Sequence, residues 1–339
     1  MLLASSIIAS AQCTKPVIFD TDWWTDVDDA CAVRLLLDAE RKGDVDVLGI
    51  CISAVNETSV KSLDSFLRHE GRSEMPLGID SEATDFTGEP CYHQLIIDSC
   101  DDRSARDNAD CADCVAFYRQ LLASSKGKVD IVAVGYPNTL ARLLESGADN
   151  VSRLDGRRLV KRKVSHLWIM AGNYPEGEEN NFTRTARSRS AGALLCSEWP
   201  TEITFLGHEV GIRVVAGGRL KEEDLLHKVL ARHGSAKGRY AWDPMTVMLA
   251  ISGDAEKEGY RLVRGWNTVD PETGANIFRE DPDGRHSYVV MTEPAEWYAG
   301  RLDDLLLSAA GYQVSNRVIW NPAGSLLSVR ASTESIMQK

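Results

Sequence analysis

Phe19-Asp20-Thr21-Asp22-Trp23-Trp24-Thr25-Asp26-Val27-Asp28-Asp29-Ala30 carries five carboxylates within ten residues, between an apolar run, Val17-Ile18-Phe19, and an apolar helical pattern over 28–41. A short buried strand, a charged loop and a helix opened by Asp28 and Asp29 form the first βα unit, because carboxylates favour the positive end of a helix dipole. The bland reading is a solvated acidic turn. Its position at the carboxyl end of a strand, where α/β sheets bind ligands, favours instead an oxygen-rich pocket for a hard divalent cation, which takes six to eight oxygen ligands in the case of calcium.

Outward from this segment, β-branched runs at 45–53, 129–134, 166–170 and 201–206 alternate with helical patterns at 60–69, 113–123, 139–145, 187–196 and 221–233. That alternation predicts an α/β fold: one Rossmann-like domain with a mostly parallel sheet and helices on both faces. Two further runs, 260–264 and 287–291, are separated by turn signals at 270–274 and 281–284, which predict an appended C-terminal hairpin. The polar stretch 80–110 has no clear period and reads as a long surface excursion.

The chain of 339 residues has 38 basic and 50 acidic side chains, a formal charge of −12, with 43% hydrophobic residues. An acidic balance disfavours nucleic acid, which is bound chiefly through Lys and Arg. No apolar run is long enough to span a bilayer. The N-terminal segment ends in Ala9-Ser10-Ala11, an A-x-A pattern that predicts a signal peptide over 1–11, a mature domain over 12–339, and a secreted or periplasmic location; without cleavage the location is cytoplasmic. Eight cysteines suit an oxidising compartment, with Cys91, Cys100, Cys111 and Cys114 as candidates for one or two disulfides. Cys111 and Cys114 lack the second pair that a zinc site needs.

Spacing tests exclude two acidic motifs. An EF-hand counted from Asp20 meets Thr25 where its Gly belongs and Cys31 where its Glu belongs. A haloacid-dehalogenase-type phosphatase shares the strand and Asp-x-Asp, but Trp24 stands at its Thr. The segment instead resembles the inosine-uridine-preferring nucleoside hydrolases, whose first strand ends in Asp-x-Asp and whose following helix opens with Asp-Asp-Ala. Here the loop has two extra residues, and Trp23-Trp24 replaces the usual Pro-Gly. Further matches follow in order over roughly 16–310: Val55-Asn56, Gly135-Tyr136-Pro137-Asn138, Met170-Ala171-Gly172-Asn173, Glu179-Asn180-Asn181 and Trp242-Asp243-Pro244.

The resemblance implies a calcium ion held by Asp22, Asp29, Asp243 and the backbone carbonyl of Asn138, with Asp22 also the general base. It implies ribose contacts from Asp28, Asn56, Asn173, Glu179 and Asn181. It implies a base-side aromatic at Trp242, joined by Trp23 or Trp24. Trp242 stands where one subgroup has a His that serves as leaving-group acid; His208 is the nearest His at a strand end. Residue by residue, each lone Asn also reads as a turn or capping amide.

The expected activity is calcium-dependent hydrolysis of the N-glycosidic bond of a ribonucleoside or related N-riboside. The alternative is a noncatalytic calcium-dependent nucleoside or sugar receptor on the same scaffold. The expected partner is a small molecule, and the family implies a homo-oligomer. Of the sequons at Asn56, Asn150 and Asn181, two coincide with implied ribose ligands.

Overall fold

The computed structural model describes residues 14–100 and 104–312; the expected signal segment lies outside them. Its strands are β1 (Lys15–Thr21), β2 (Val45–Ile52), β3 (Leu77–Ile79), β4 (Ala112–Asp113), β5 (Val129–Ala133), β6 (Val164–Met170), β7 (Glu176–Gly177), β8 (Glu202–Leu206), β9 (Val215–Ala216), β10 (Arg239–Tyr240), β11 (Tyr260–Val269), β12 (Asn276–Glu280) and β13 (His286–Met291). Eleven of them form one sheet in the order β4-β3-β2-β1-β5-β6-β8-β13-β11-β12-β7, and β9 and β10 form a separate ribbon. Pairing is parallel from β4 to β13 and antiparallel from β13 to β7.

The central strands are apolar on both sides because both faces are covered. Along β1, Val17 and Phe19 enter one core layer and Ile18 the other. Trp168 and Met170 of β6 alternate in the same way with Leu167 and Ile169. Helices Asp28–Lys42, Trp242–Ser252 and Ala295–Ala309 pack in the first layer; Cys114–Ser124, Asn138–Glu145 and Gly156–Lys163 pack in the second. Helix Asp28–Lys42 starts with two acidic residues, ends with Arg41 and Lys42, and stops at Gly43 in the left-handed region (φ 78°), as dipole and capping rules require.

The expected C-terminal strands are present with a third, β12, between them in sequence; β11 lies between β13 and β12, antiparallel to both, and β13 pairs in parallel with β8. The excursion 80–110 contains a helix, His93–Ser99. The expected disulfides are not formed: Cys91, Cys111 and Cys114 are free thiols, and Cys114 is buried beside the Arg142 guanidinium (3.3 Å). Among the described residues no helix is long and apolar enough to cross a membrane.

Candidate active site

From β1 the chain winds outward through β2 and β3, then crosses back to β5 on the other side of β1, which makes the β1/β5 boundary a topological switch point. A cavity of about 220 Å³ opens at the carboxyl ends of these strands. Asp22, Asp26, Asp28 and Asp29 line it from the β1 loop; Val134 and Met170 from the ends of β5 and β6; Glu179, Asn180 and Asn181 from the loop beyond; and His208, Trp242 and Asp243 close the far side. Gly135 permits the close approach of the two central loops, because a Cβ there would stand 2.2 Å from the Asp22 nitrogen and 2.4 Å from Ser53 Oγ.

Asp28, Asp29 and Asp243 offer carboxylate oxygens within 4.8 Å of one another, and all three side chains are buried. Asp22 joins them through a carboxyl–carboxyl contact with Asp29. The cluster is braced from behind: the Thr21 hydroxyl donates to Asp29 Oδ1, the Trp23 N–H donates to the same oxygen at 3.2 Å, and the Asp243 N–H donates to Asp28 Oδ2 at 3.1 Å.

Burial first, and the neighbouring carboxylates second, drive Asp22, Asp28 and Asp243 well above the usual carboxylate range; burial lifts Asp29 to about 6. No Lys or Arg lines the cavity among the described residues. A set of buried oxygen donors that repel one another and bond no basic side chain fits a hard divalent cation. Asp26 differs from the others. Burial works against its charge, but Arg239 bonds both its oxygens (2.8 and 2.5 Å) and holds the carboxyl below its ordinary range.

On the opposite wall Glu179 caps a short helix, its Oε1 accepting the Asn181 N–H at 2.7 Å and its Oε2 accepting the Gly172 N–H at 3.0 Å. Burial raises it to about 7. The Asn181 amide donates to the carbonyls of Val134 (3.0 Å) and Met170 (2.9 Å), which uses both its hydrogens and leaves Oδ1 as acceptor. Trp242 is half-buried. Its Nε1 donates to the His208 carbonyl at 2.9 Å, and its ring stacks on the imidazole with centroids 5.4 Å apart.

Three residues named from the sequence stand outside the cavity wall. Asn56 forms a turn before helix Ser59–His69, its Oδ1 accepting the Thr58 N–H and its Nδ2 donating to Glu89. The Asn138 side chain donates to Asp80 and the Ser53 carbonyl, and Val134 is the residue after β5 that reaches the cavity. The Asn173 backbone pairs with the Asn276 side chain. Trp23 and Trp24 are core residues, not cavity walls: Trp23 packs on Phe66 and Tyr92, and Trp24 beside Phe86. Asp26 and Asn180 line the cavity without a role assigned from the sequence. Asp26 was visible as the extra carboxylate of the longer loop; nothing marked Asn180.

No protein-family model matches the chain, and no curated protein does. Solved structures do. The plant nucleoside hydrolase PpNRh1 superposes with a TM-score of 0.64 at 18% identity, covering 86% of this chain and 98% of that one. The inosine-uridine preferring nucleoside hydrolase from Bacillus anthracis gives 0.61 at 17%, covering 88% and 99%. The type III effector protein XopQ, solved with adenosine diphosphate ribose, gives 0.62 at 12%, covering 88% and 95%. At these identities the likeness is one of fold.

Proposed function

We propose that the chain hydrolyses the N-glycosidic bond of a ribonucleoside or related N-riboside with calcium as cofactor, releasing ribose and base. The observation that carries this reading is the convergence of Asp22, Asp28, Asp29 and Asp243, without a basic partner, in one cavity at the switch point. Asp22, Asp29 and Asp243 are the residues assigned to the ion. Asn138 is left out because it does not reach the cavity. A calcium ion held by these carboxylates would acidify a water and offer a site for the ribose diol.

Asp22 then accepts the proton of the attacking water. Asp28, Glu179 and Asn181 accept hydrogen bonds from ribose hydroxyls, fixing the anomeric carbon; positioning of this kind removes much of the entropic part of a barrier. Trp242 flanks the departing base.

The test is release of free ribose from a panel of nucleosides by calcium-loaded protein, repeated after chelation. Ribose release that stops on chelation and returns with calcium supports the reading. Saturable nucleoside binding with no ribose release supports a receptor instead, and full activity after chelation removes the metal from the mechanism.

A further inference from the structure

Resting on that hydrolase reading, the geometry points to a substrate class: N-ribosides whose aglycone already carries a fixed positive charge, such as a pyridinium or an N-alkylated purine. Three observations combine. The ionisable lining is acidic apart from His208, and no Lys or Arg is part of it among the described residues. The far wall is aromatic, with the Trp242 and His208 rings inclined by 26°. That wall is already used to hold a cation: the Arg239 guanidinium lies 5.6 Å from the Trp242 ring centre and 5.0 Å from that of Tyr240. Arg239 is bonded through two nitrogens to both oxygens of Asp26 and is not part of the cavity lining.

The proton inventory agrees. In hydrolysis the water oxygen bonds to C1′ and gives its proton to Asp22, while the C1′–N bond breaks and its electron pair goes to nitrogen. A neutral nucleoside thereby yields an anionic base that needs a proton from a donor. A cationic riboside yields a neutral heterocycle and needs none; the products are ribose, the heterocycle and one proton.

The cavity has no committed donor. Asn180 and Trp242 are not acids. Glu179, raised by burial to about 7, has each of its oxygens engaged by a backbone N–H, and Asp26 is held as a carboxylate by Arg239. The His208 ring nitrogens have no hydrogen-bond partner among the described residues, and partial burial moves the imidazole below its usual range, toward the neutral form. An aromatic face that accepts a cation is then a better base-side wall than one that must supply a proton.

Two measurements on calcium-loaded protein separate recognition from leaving-group reactivity. In the first, kcat/KM for a β-ribosylpyridinium salt is compared with inosine and uridine, with an expected advantage of about a hundredfold for the cation, the low end of what an acid would contribute. In the second, the N-methylated cation of pyridine-3-carboxamide competes against the uncharged amide, with an expected advantage of about tenfold that shrinks as salt rises. Neutral nucleosides cleaved as well as the pyridinium riboside, or an uncharged ring that competes equally, would overturn this substrate class and leave the hydrolase standing. Preferential binding of the cation with no ribose released from any riboside supports the cation pocket and sinks the hydrolase reading.

Discussion

The carbonyl of Trp23 accepts a hydrogen bond from His93 Nε2 at 3.1 Å, and the two rings lie 6.2 Å apart at 20°. Trp23 is the residue after Asp22 and sits at φ 43°, a region that bulky side chains rarely occupy. Its indole N–H donates to Ser62 Oγ at 2.9 Å and its backbone N–H to Thr21 Oγ1 at 3.0 Å. The excursion 80–110 thus clamps the loop that carries Asp22, and the clamp, not the local sequence, holds the strained residue in place.

Removing that clamp should loosen the site from outside it. His93→Ala is expected to cost about 2–3 kcal/mol of stability, from a lost hydrogen bond and a cavity in the core. Calcium affinity should fall with it. Urea unfolding and calcium titration check both, and an unchanged affinity in the folded variant would show that the loop keeps its shape alone.

Acid stability has a defined sign. Burial lowers His93 from 6.5 to about 3, and burial with Arg285 lowers His286 to about 4. The unfolded chain takes up these protons first, so each histidine's contribution is full above about pH 6.5 and is lost as pH falls toward its folded value, at up to about 1.4 kcal/mol per pH unit. Asp20, Glu179 and Glu209, raised by burial to about 7, work in the opposite direction. The measurement is therefore a difference: His286→Gln should lose less stability than the parent between pH 6.5 and 4.5. Parallel curves would mean that His286 takes up its proton as readily in the fold as in the unfolded chain.

Asp22→Asn keeps the shape of the side chain but cannot accept the proton. Turnover should drop about a thousandfold, within the range for loss of a general base, with the melting temperature of the metal-free protein unchanged or higher because one member of a crowded carboxyl cluster is removed. Substantial remaining turnover would reassign the base.

Gly135→Ala would drive a Cβ into the Asp22 backbone nitrogen, which cannot swing aside as a side chain would. A stability loss of about 1–3 kcal/mol is expected, with a larger proportional loss of activity because the base is displaced. Circular dichroism melts and single-turnover assays at one temperature measure the two effects.

Trp242→Phe should retain a stacking surface and most of the activity, losing only the bond to the His208 carbonyl. Trp242→Ala should lower kcat/KM with little change in calcium affinity. A fall in melting temperature with unchanged kinetics would make it a packing residue only.

The central sheet was legible because strands buried on both faces leave continuous apolar runs, and the carboxylate loop because five like charges beside such a run need an explanation. The strand β12 was not: of its five residues only Asn276 and Phe278 are buried, and its Ile277 faces outward at 59% accessibility, so a single buried apolar side chain marks it. Helix Ala295–Ala309 buries only Tyr298, Leu302 and Leu306 deeply, a narrow stripe. For the amides, order along the chain was readable but side-chain direction was not. Asn181 and Asn138 both follow strand ends, yet one turns into the cavity and the other toward Asp80. The contact of His93 with Trp23 spans 70 positions and has no local signature.

The cluster at the carboxyl ends of the central strands joins Asp28 and Asp29 to Asp243, more than two hundred residues later, through the packing of the helices that begin at or beside these residues. A cation site built on it would consequently be a property of the finished tertiary structure and of no fragment. A chain ending before helix Trp242–Ser252 holds Asp22, Asp28 and Asp29 without Asp243, so during synthesis the acidic loop waits until the closing carboxylate arrives. Ion capture then favours only the completed fold, because a ligand stabilises the state that binds it. The metal would thereby act as a latch on folding, selecting against chains in which the first and last thirds have not met.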